Sequence, residues 1–211
     1  MSTTTQKRRR RILAPLAFAG VAAVGGVALM SGAIFTNTQT VAGNSFTAGS
    51  VQLATTPNTS AFSVTNMAPG DVVYKNVNVA NTGSLALRYS LTDNLDASGN
   101  TGLAAGATPL QMAIKTGLTA AQCNAETGTG DSTWTSGSSV YTGAIAPNGA
   151  SAANIIGDPT TGQQSGDRAL AAGANEDLCV QVTLPFAADN TYQGKAANVD
   201  FTFLGEQTTN N

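Results

Sequence analysis

The chain has 211 residues, enough for one domain with a real core plus an appendage. It holds no histidine, 23 glycines, 42% hydrophobic residues and only 10% charged ones. That composition rules out Ser-His-Asp and Cys-His catalysis and the H-E-x-x-H zinc motif, and it favours strands and turns over helices or disorder. Lys7 and Arg8 to Arg11 are half of the ten basic residues. Beyond them, five scattered bases face twelve acids, a net charge of −7. A body of that charge repels phosphate backbones, and no basic stripe interleaved with aromatics is visible, so nucleic acid is not an expected partner.

The basic cluster is followed by "ILAPLAFAGVAAVGGVALMSGAIF", 24 residues without a charge. A basic start, an apolar run and small residues at Ser31 and Ala33 describe an export signal, residues 1–33, cleaved between Ala33 and Ile34. The alternative is an uncleaved anchor, since a run of this length can span a bilayer; its glycines and Pro15 weaken that helix. Either way the rest of the chain is placed outside the cytoplasm, with the membrane met only through the leader and a signal peptidase as partner during export.

Residues 34–44 form a short arm, and a β-domain is expected over 45–205 with a tail at 206–211. Period-two alternation marks its strands. Phe46–Leu53 and Phe62–Val64 are early candidates. Val73, Val77 and Val79 alternate with Lys75 interrupting. Leu85, Leu87, Tyr89 and Leu91 share a buried face, with Ala86, Arg88, Ser90 and Thr92 outward. Leu110, Met112 and Ile114 give a short strand, and "LTAAQC" a helical turn. Residues 124–176 read as long loops with one or two strands near "SSVYTGAI". Leu178, Val180, Val182 and Leu184 follow, then Ala197, Val199, Phe201 and Phe203. "PGD" and "NTGS" supply the turns. Seven to nine strands without a 3.6 period predict an all-β antiparallel sandwich, jelly-roll-like or immunoglobulin-like, with long irregular loops.

Cys123 and Cys179 are the only cysteines. Outside the cytoplasm they are expected to pair, closing a loop worth roughly 4 kcal/mol by chain entropy; two separate buried thiols are the alternative. No P-loop, G-x-S-x-G elbow or S-x-x-K dyad occurs. Asp93 with Asp96, and Glu176 with Asp177, are carboxylates close in sequence, as acid–base chemistry or a loop calcium site requires, but predicted strand ends usually carry such residues as solvated turns. Trp134 either stacks on a sugar ring or caps a small core. No catalytic residue, metal ligand or cofactor site is assigned.

Four motifs, in order, carry a resemblance. They are Phe46–Leu53 ("FTAGSVQL", with Phe46 and Gly49), Asn66–Asp71 ("NMAPGD", with Asn66, Pro69, Gly70 and Asp71), Asn81–Leu85 ("NTGSL", with Asn81, Gly83, Ser84 and Leu85) and Asn190–Gly194 ("NTYQG", with Tyr192, Gln193 and Gly194). Together they resemble the TasA/camelysin-like family of secreted Gram-positive proteins, whose leader, cut by a dedicated signal peptidase, this leader also resembles. The resemblance covers about half of the exported region and leaves 95–176 unmatched.

It implies a jelly-roll subunit of extracellular biofilm-matrix or cell-surface fibres, a homopolymer with other matrix or cell-wall components as further partners. The segment after the cleavage site donates a strand to the next subunit. Here that donor is Ile34–Val41, with Ile34, Phe35, Thr36, Thr38, Thr40 and Val41 as its strand-forming residues; a frayed or folded-back terminus is the plain alternative. The family's metallopeptidase label does not carry over to a chain without histidine. The expectation is therefore a non-enzymatic structural subunit. Two rivals are a monomeric glycan- or protein-binding module using the 124–176 loops, and a surface metalloprotease.

Overall fold

Most of the alternating apolar runs become strands, and the described residues hold nine. The protein is described here from a computed structural model over residues 45, 47–59, 61–96, 98–129 and 134–209. In chain order the strands are β1 (Leu53–Thr56), β2 (Val72–Asn81), β3 (Leu87–Leu95), β4 (Gln111–Thr116), β5 (Ser138–Ala144), β6 (Ala153–Ile156), β7 (Arg168–Leu170), β8 (Asn175–Thr183) and β9 (Val199–Gln207). One α-helix, α1 (Ala120–Ala125), lies between β4 and β5; Thr119 caps it in a reciprocal box with Gln122. Among the described residues no helix is long and apolar enough to cross a membrane.

All strand pairs are antiparallel. One sheet runs β1-β2-β8-β4-β5. In the other, β3 is central, with β9 along its whole length on one side and β6 and β7 sharing the other. Val77, Val79, Met112, Ile114, Leu178, Val180 and Val182 of the first sheet join Leu87, Tyr89, Leu91, Ile156 and Leu170 of the second in one core. Burying each such aliphatic side chain stabilises by about 1.5–3 kcal/mol, and this is the main force holding the two layers together. The expected antiparallel sandwich is what forms.

Several expectations need correction. Leu85 was placed in the core row, but it lies in the turn before β3 and is 37% exposed. The opposite row of β3 was expected in solvent, yet Arg88, Ser90 and Thr92 are buried. The loop after β6 supplies the cover, because its Asp167 lies 3.8 Å from Arg88 Nε, which also donates to Glu206 Oε1 at 2.5 Å. Phe46–Leu53 is not a strand over its described part; pairing starts at Leu53. Phe62–Val64 forms no strand, although Phe62 packs against the core. The stretch 124–176 holds three strands plus the start of β8, because β6 and β7 are too short to show a period. β9 continues through Glu206 and Gln207, two residues into the expected tail. Lys75 interrupts the β2 pattern and is exposed; among the described residues β1 pairs only with Asn78–Asn81, beyond it.

Candidate functional site

The first and third motifs are two halves of one joint. Ser84 N and Leu85 N both donate to Ser50 O, at 3.0 and 3.1 Å, and Thr82 N donates to Gln52 O at 2.9 Å. Ser50 N donates in return to Ser84 Oγ at 2.9 Å. Gly83 is required because a Cβ there would overlap Ser50 O and sit 2.8 Å from Gln52 N. At Gly49 a Cβ would lie 2.5 Å from the Leu85 side chain, so a larger residue there would have to move that leucine.

Asn81 holds this joint to both sheets. It is 1% exposed, and its Nδ2 donates to the carbonyls of Leu85, Leu170 and Ala171, while its Oδ1 accepts from Gly83 N. The amide's two N–H groups are shared among the three carbonyls while its oxygen takes one N–H. At the other end of β2, the second motif folds as a turn. Asp71 N donates to Ala68 O, Ala68 N donates to Asp71 Oδ2, and Gly70 takes φ +93° beneath Phe186. Gly70 N donates to Leu184 O, which sets the register of β2 on β8; Pro69 is exposed, and Asn66 has φ 58°. In the fourth motif the Tyr192 hydroxyl accepts from Thr108 N at 2.8 Å, while Gln193 and Gly194 are exposed in the approach to β9.

The remaining residues singled out from the sequence are occupied by packing. Cys123 and Cys179 form a disulfide that ties α1 to β8. Trp134 caps rather than reaches out: Lys115 Nζ sits 4.6 Å over its ring, and Tyr74 meets it edge-on at 5.3 Å. The carboxylate pairs fall apart. Glu176 accepts from Arg168 twice, and from the Tyr89 hydroxyl at 2.5 Å. Burial first, then Glu176, hold the Tyr89 hydroxyl well above the usual phenol range. Asp177 Oδ1 accepts from Asn76 and Asn78 on the outer face of β2. Asp96 closes a local turn on Ser98, whose hydrogen bonds lower its pKa. Asp93 is fully buried; Oδ2 accepts from Ala146 N, Oδ1 has no partner, and burial raises its pKa. Two ion-pair groups are not visible in the sequence: buried Arg88 with Asp167 and Glu206, and the partly buried pair Arg168–Glu176, to which the Tyr89 hydroxyl adds a hydrogen bond. Their one signal was scarcity, since both arginines are among only five bases outside the leader.

The cleavage pair Ala33 and Ile34, the donor residues Ile34, Phe35, Thr36, Thr38, Thr40 and Val41, and Phe46 all lie outside the described residues. Inside them, only the first and third motifs converge on the segment that follows that arm; the second and fourth fasten the far end of β2 and the approach to β9.

Residues 12–97 match the camelysin metallo-endopeptidase family. The match takes in the apolar leader, the joint and β1 to β3, and it bears out the resemblance read from the first three motifs. The Asn190–Gly194 motif lies beyond it. No curated protein matches the chain at a significant level.

The camelysin family's name implies a metal, so the donor set matters. This chain has no histidine, both cysteines are bonded to each other, and among the described residues no group of three or more His, Cys, Asp or Glu can hold a metal ion. Catalytic zinc sites keep three protein ligands around an open position, and the residues present do not fit one.

Proposed function

We propose that this is an exported structural protein, a subunit of cell-surface or biofilm-matrix filaments that joins its neighbour by donating residues 34–41 as a β-strand. The camelysin-family match supports an exported surface protein. One observation carries the step to assembly: Gly49, Asn81, Gly83, Ser84 and Leu85 are spent on a joint next to the N-terminal arm. A hydrogen-bonded root with an uncharged, β-branched arm before it suits strand addition to another sheet.

Electron microscopy of protein beginning at Ile34, beside protein beginning at Gly43, tests the reading. Filaments from the first and none from the second are expected. Equal filament formation by both would remove the arm from assembly.

A further inference from the structure

Residues 157–167, "GDPTTGQQSGD", leave β6, cross the outer face of the second sheet near Arg88 and return into β7. The two ends of this loop meet in a neck. A Cβ on Gly157 would lie 2.9 Å from Asp167 N, and one on Gly166 would lie 3.3 Å from Gly157 Cα. Both glycines have positive φ, +60° and +91°, and so does Gly162 between them, at +108°. A compact loop on a closed neck is an Ω-loop.

Apart from Pro159 the loop carries no aliphatic or aromatic side chain, so polar bonds hold it down. Asp158 N and Gln164 N donate to the two oxygens of Asp167, at 3.0 and 2.9 Å, and these bonds stay within the loop and its neck. The bond to the sheet beneath comes from Gly162 N, which donates to Glu206 Oε1 and Oε2 at 3.1 and 3.3 Å. A void of about 10 Å³ remains between loop and strands, bordered by Arg88, Ser90, Thr160 and Leu204. Such a gap forfeits part of the dispersion attraction that close packing supplies.

Glu206 stands between two claimants. Arg88 presents a fork of N–H groups on Nε and Nη2, and carboxylates commonly take such a fork with both oxygens. Glu206 fills one tooth: its Oε1 accepts from Nε at 2.5 Å. Nη2 is buried and has no partner among the described residues, while Oε2 accepts from Gly162 N. Arg88 is 5% exposed, and a buried guanidinium short of a hydrogen bond is costly.

We infer that loop 157–167 is a lid with two positions, and that Glu206 decides between them. Closed, Glu206 is divided between Arg88 Nε and Gly162 N. Open, the loop turns about Gly157 and Gly166, Gly162 N passes to water, and Glu206 gives Arg88 both oxygens. The second bond to Arg88 offsets the one lost to Gly162. The lid therefore lifts while the strands beneath stay intact, and it uncovers Arg88 and Ser90 on the outer face of the sheet. This motion belongs to the single chain and needs no neighbour.

Hydrogen exchange tests it, read residue by residue on the chain beginning at Ile34. In the parent, Gly162 is expected to exchange while the amides of β3 stay protected; exchange of Gly162 only together with β3 overturns the lid. Arg88→Lys keeps the charge but offers no fork, so opening no longer gains a bond. Exchange at Gly162 is expected to slow about tenfold, even as the domain as a whole loses stability. An arginine that merely braces the fold gives the reverse, a looser loop and faster exchange. Glu206→Gln, with one acceptor oxygen, cannot fill both teeth and is expected to slow Gly162 in the same way should the lysine variant not fold. Unchanged or faster exchange at Gly162 in either folded variant overturns the role of Glu206.

Discussion

The joint between Gly49 and Leu85 and the insertion between β4 and β5 both tie a segment poor in large apolar residues to the sandwich, and they use different bonds to do it. The joint is made of backbone hydrogen bonds, two glycines that allow close approach and one buried asparagine. The insertion is held by the Cys123–Cys179 bond, with Cα atoms 5.4 Å apart, and by the Lys115–Trp134–Tyr74 contacts. A hydrogen-bonded joint is a local structure that can open alone, whereas a covalent bond acts on the whole unfolded chain. The camelysin match contains the joint and ends before the insertion. The matched region therefore includes the joint that follows the proposed donor arm, and the staple lies in the part beyond the match.

That contrast predicts separate phenotypes. The largest effect falls on the staple. Replacing both Cys123 and Cys179 with Ser opens a loop of 56-residue separation and costs about 4 kcal/mol of unfolding free energy, read by urea denaturation, with filaments still forming below the lowered Tm. Filament loss in the folded double variant would erase the distinction. Asn81→Ala comes next. It strips the donor from three carbonyls, one of them buried, and costs about 3 kcal/mol; because Asn81 reaches both sheets, stability and assembly fall together.

Gly83→Ala sharpens the comparison further. The new Cβ pushes on Ser50 and Gln52, so about 1–3 kcal/mol is lost. Hydrogen exchange speeds up at Thr82, Ser84 and Leu85 while the amides of β3 stay protected, and filaments shorten more than stability falls. Uniform exchange throughout would mean that the joint does not open separately. The smallest effect is Asp93→Asn. Burial raises the pKa of this carboxyl in the fold, so the protonated form is the better tolerated one and its contribution to stability declines as pH rises through the carboxylate range. The asparagine variant is expected to melt higher than the parent at neutral pH, with the gap closing below about pH 4, near the unfolded carboxyl pKa. An unchanged gap across that range would mean that Asp93 is not the group responsible.

Much of the sandwich was legible in the chain, for identifiable reasons. β8 and the core row of β3 show their alternation because one face meets the other sheet. β3 misleads on its second face, since Arg88 looks outward until Asp167 and Glu206, far away in sequence, arrive to neutralise it. β6 and β7 are four and three residues long among glycines and serines, too short for any period. The disulfide was readable because only two cysteines exist and the leader leads one to expect them where they oxidise. The motif residues were visible as a pattern, but not as a joint. Nothing in the order of Ser50 and Ser84 says that they meet, and Leu85 looked like core because its alternation with Leu87 continues one step past the strand.

The central claim is that residues 34–41 of one copy complete the sheet of the next, and a capping measurement tests it most directly. A synthetic peptide of residues 34–41 is added in excess during assembly of the mature chain, beside a scrambled peptide of the same composition, and filament lengths are measured. The account predicts that the native peptide shortens filaments in a dose-dependent way and the scrambled one does not. Lengths unaffected by either peptide, with filaments forming normally, would contradict it.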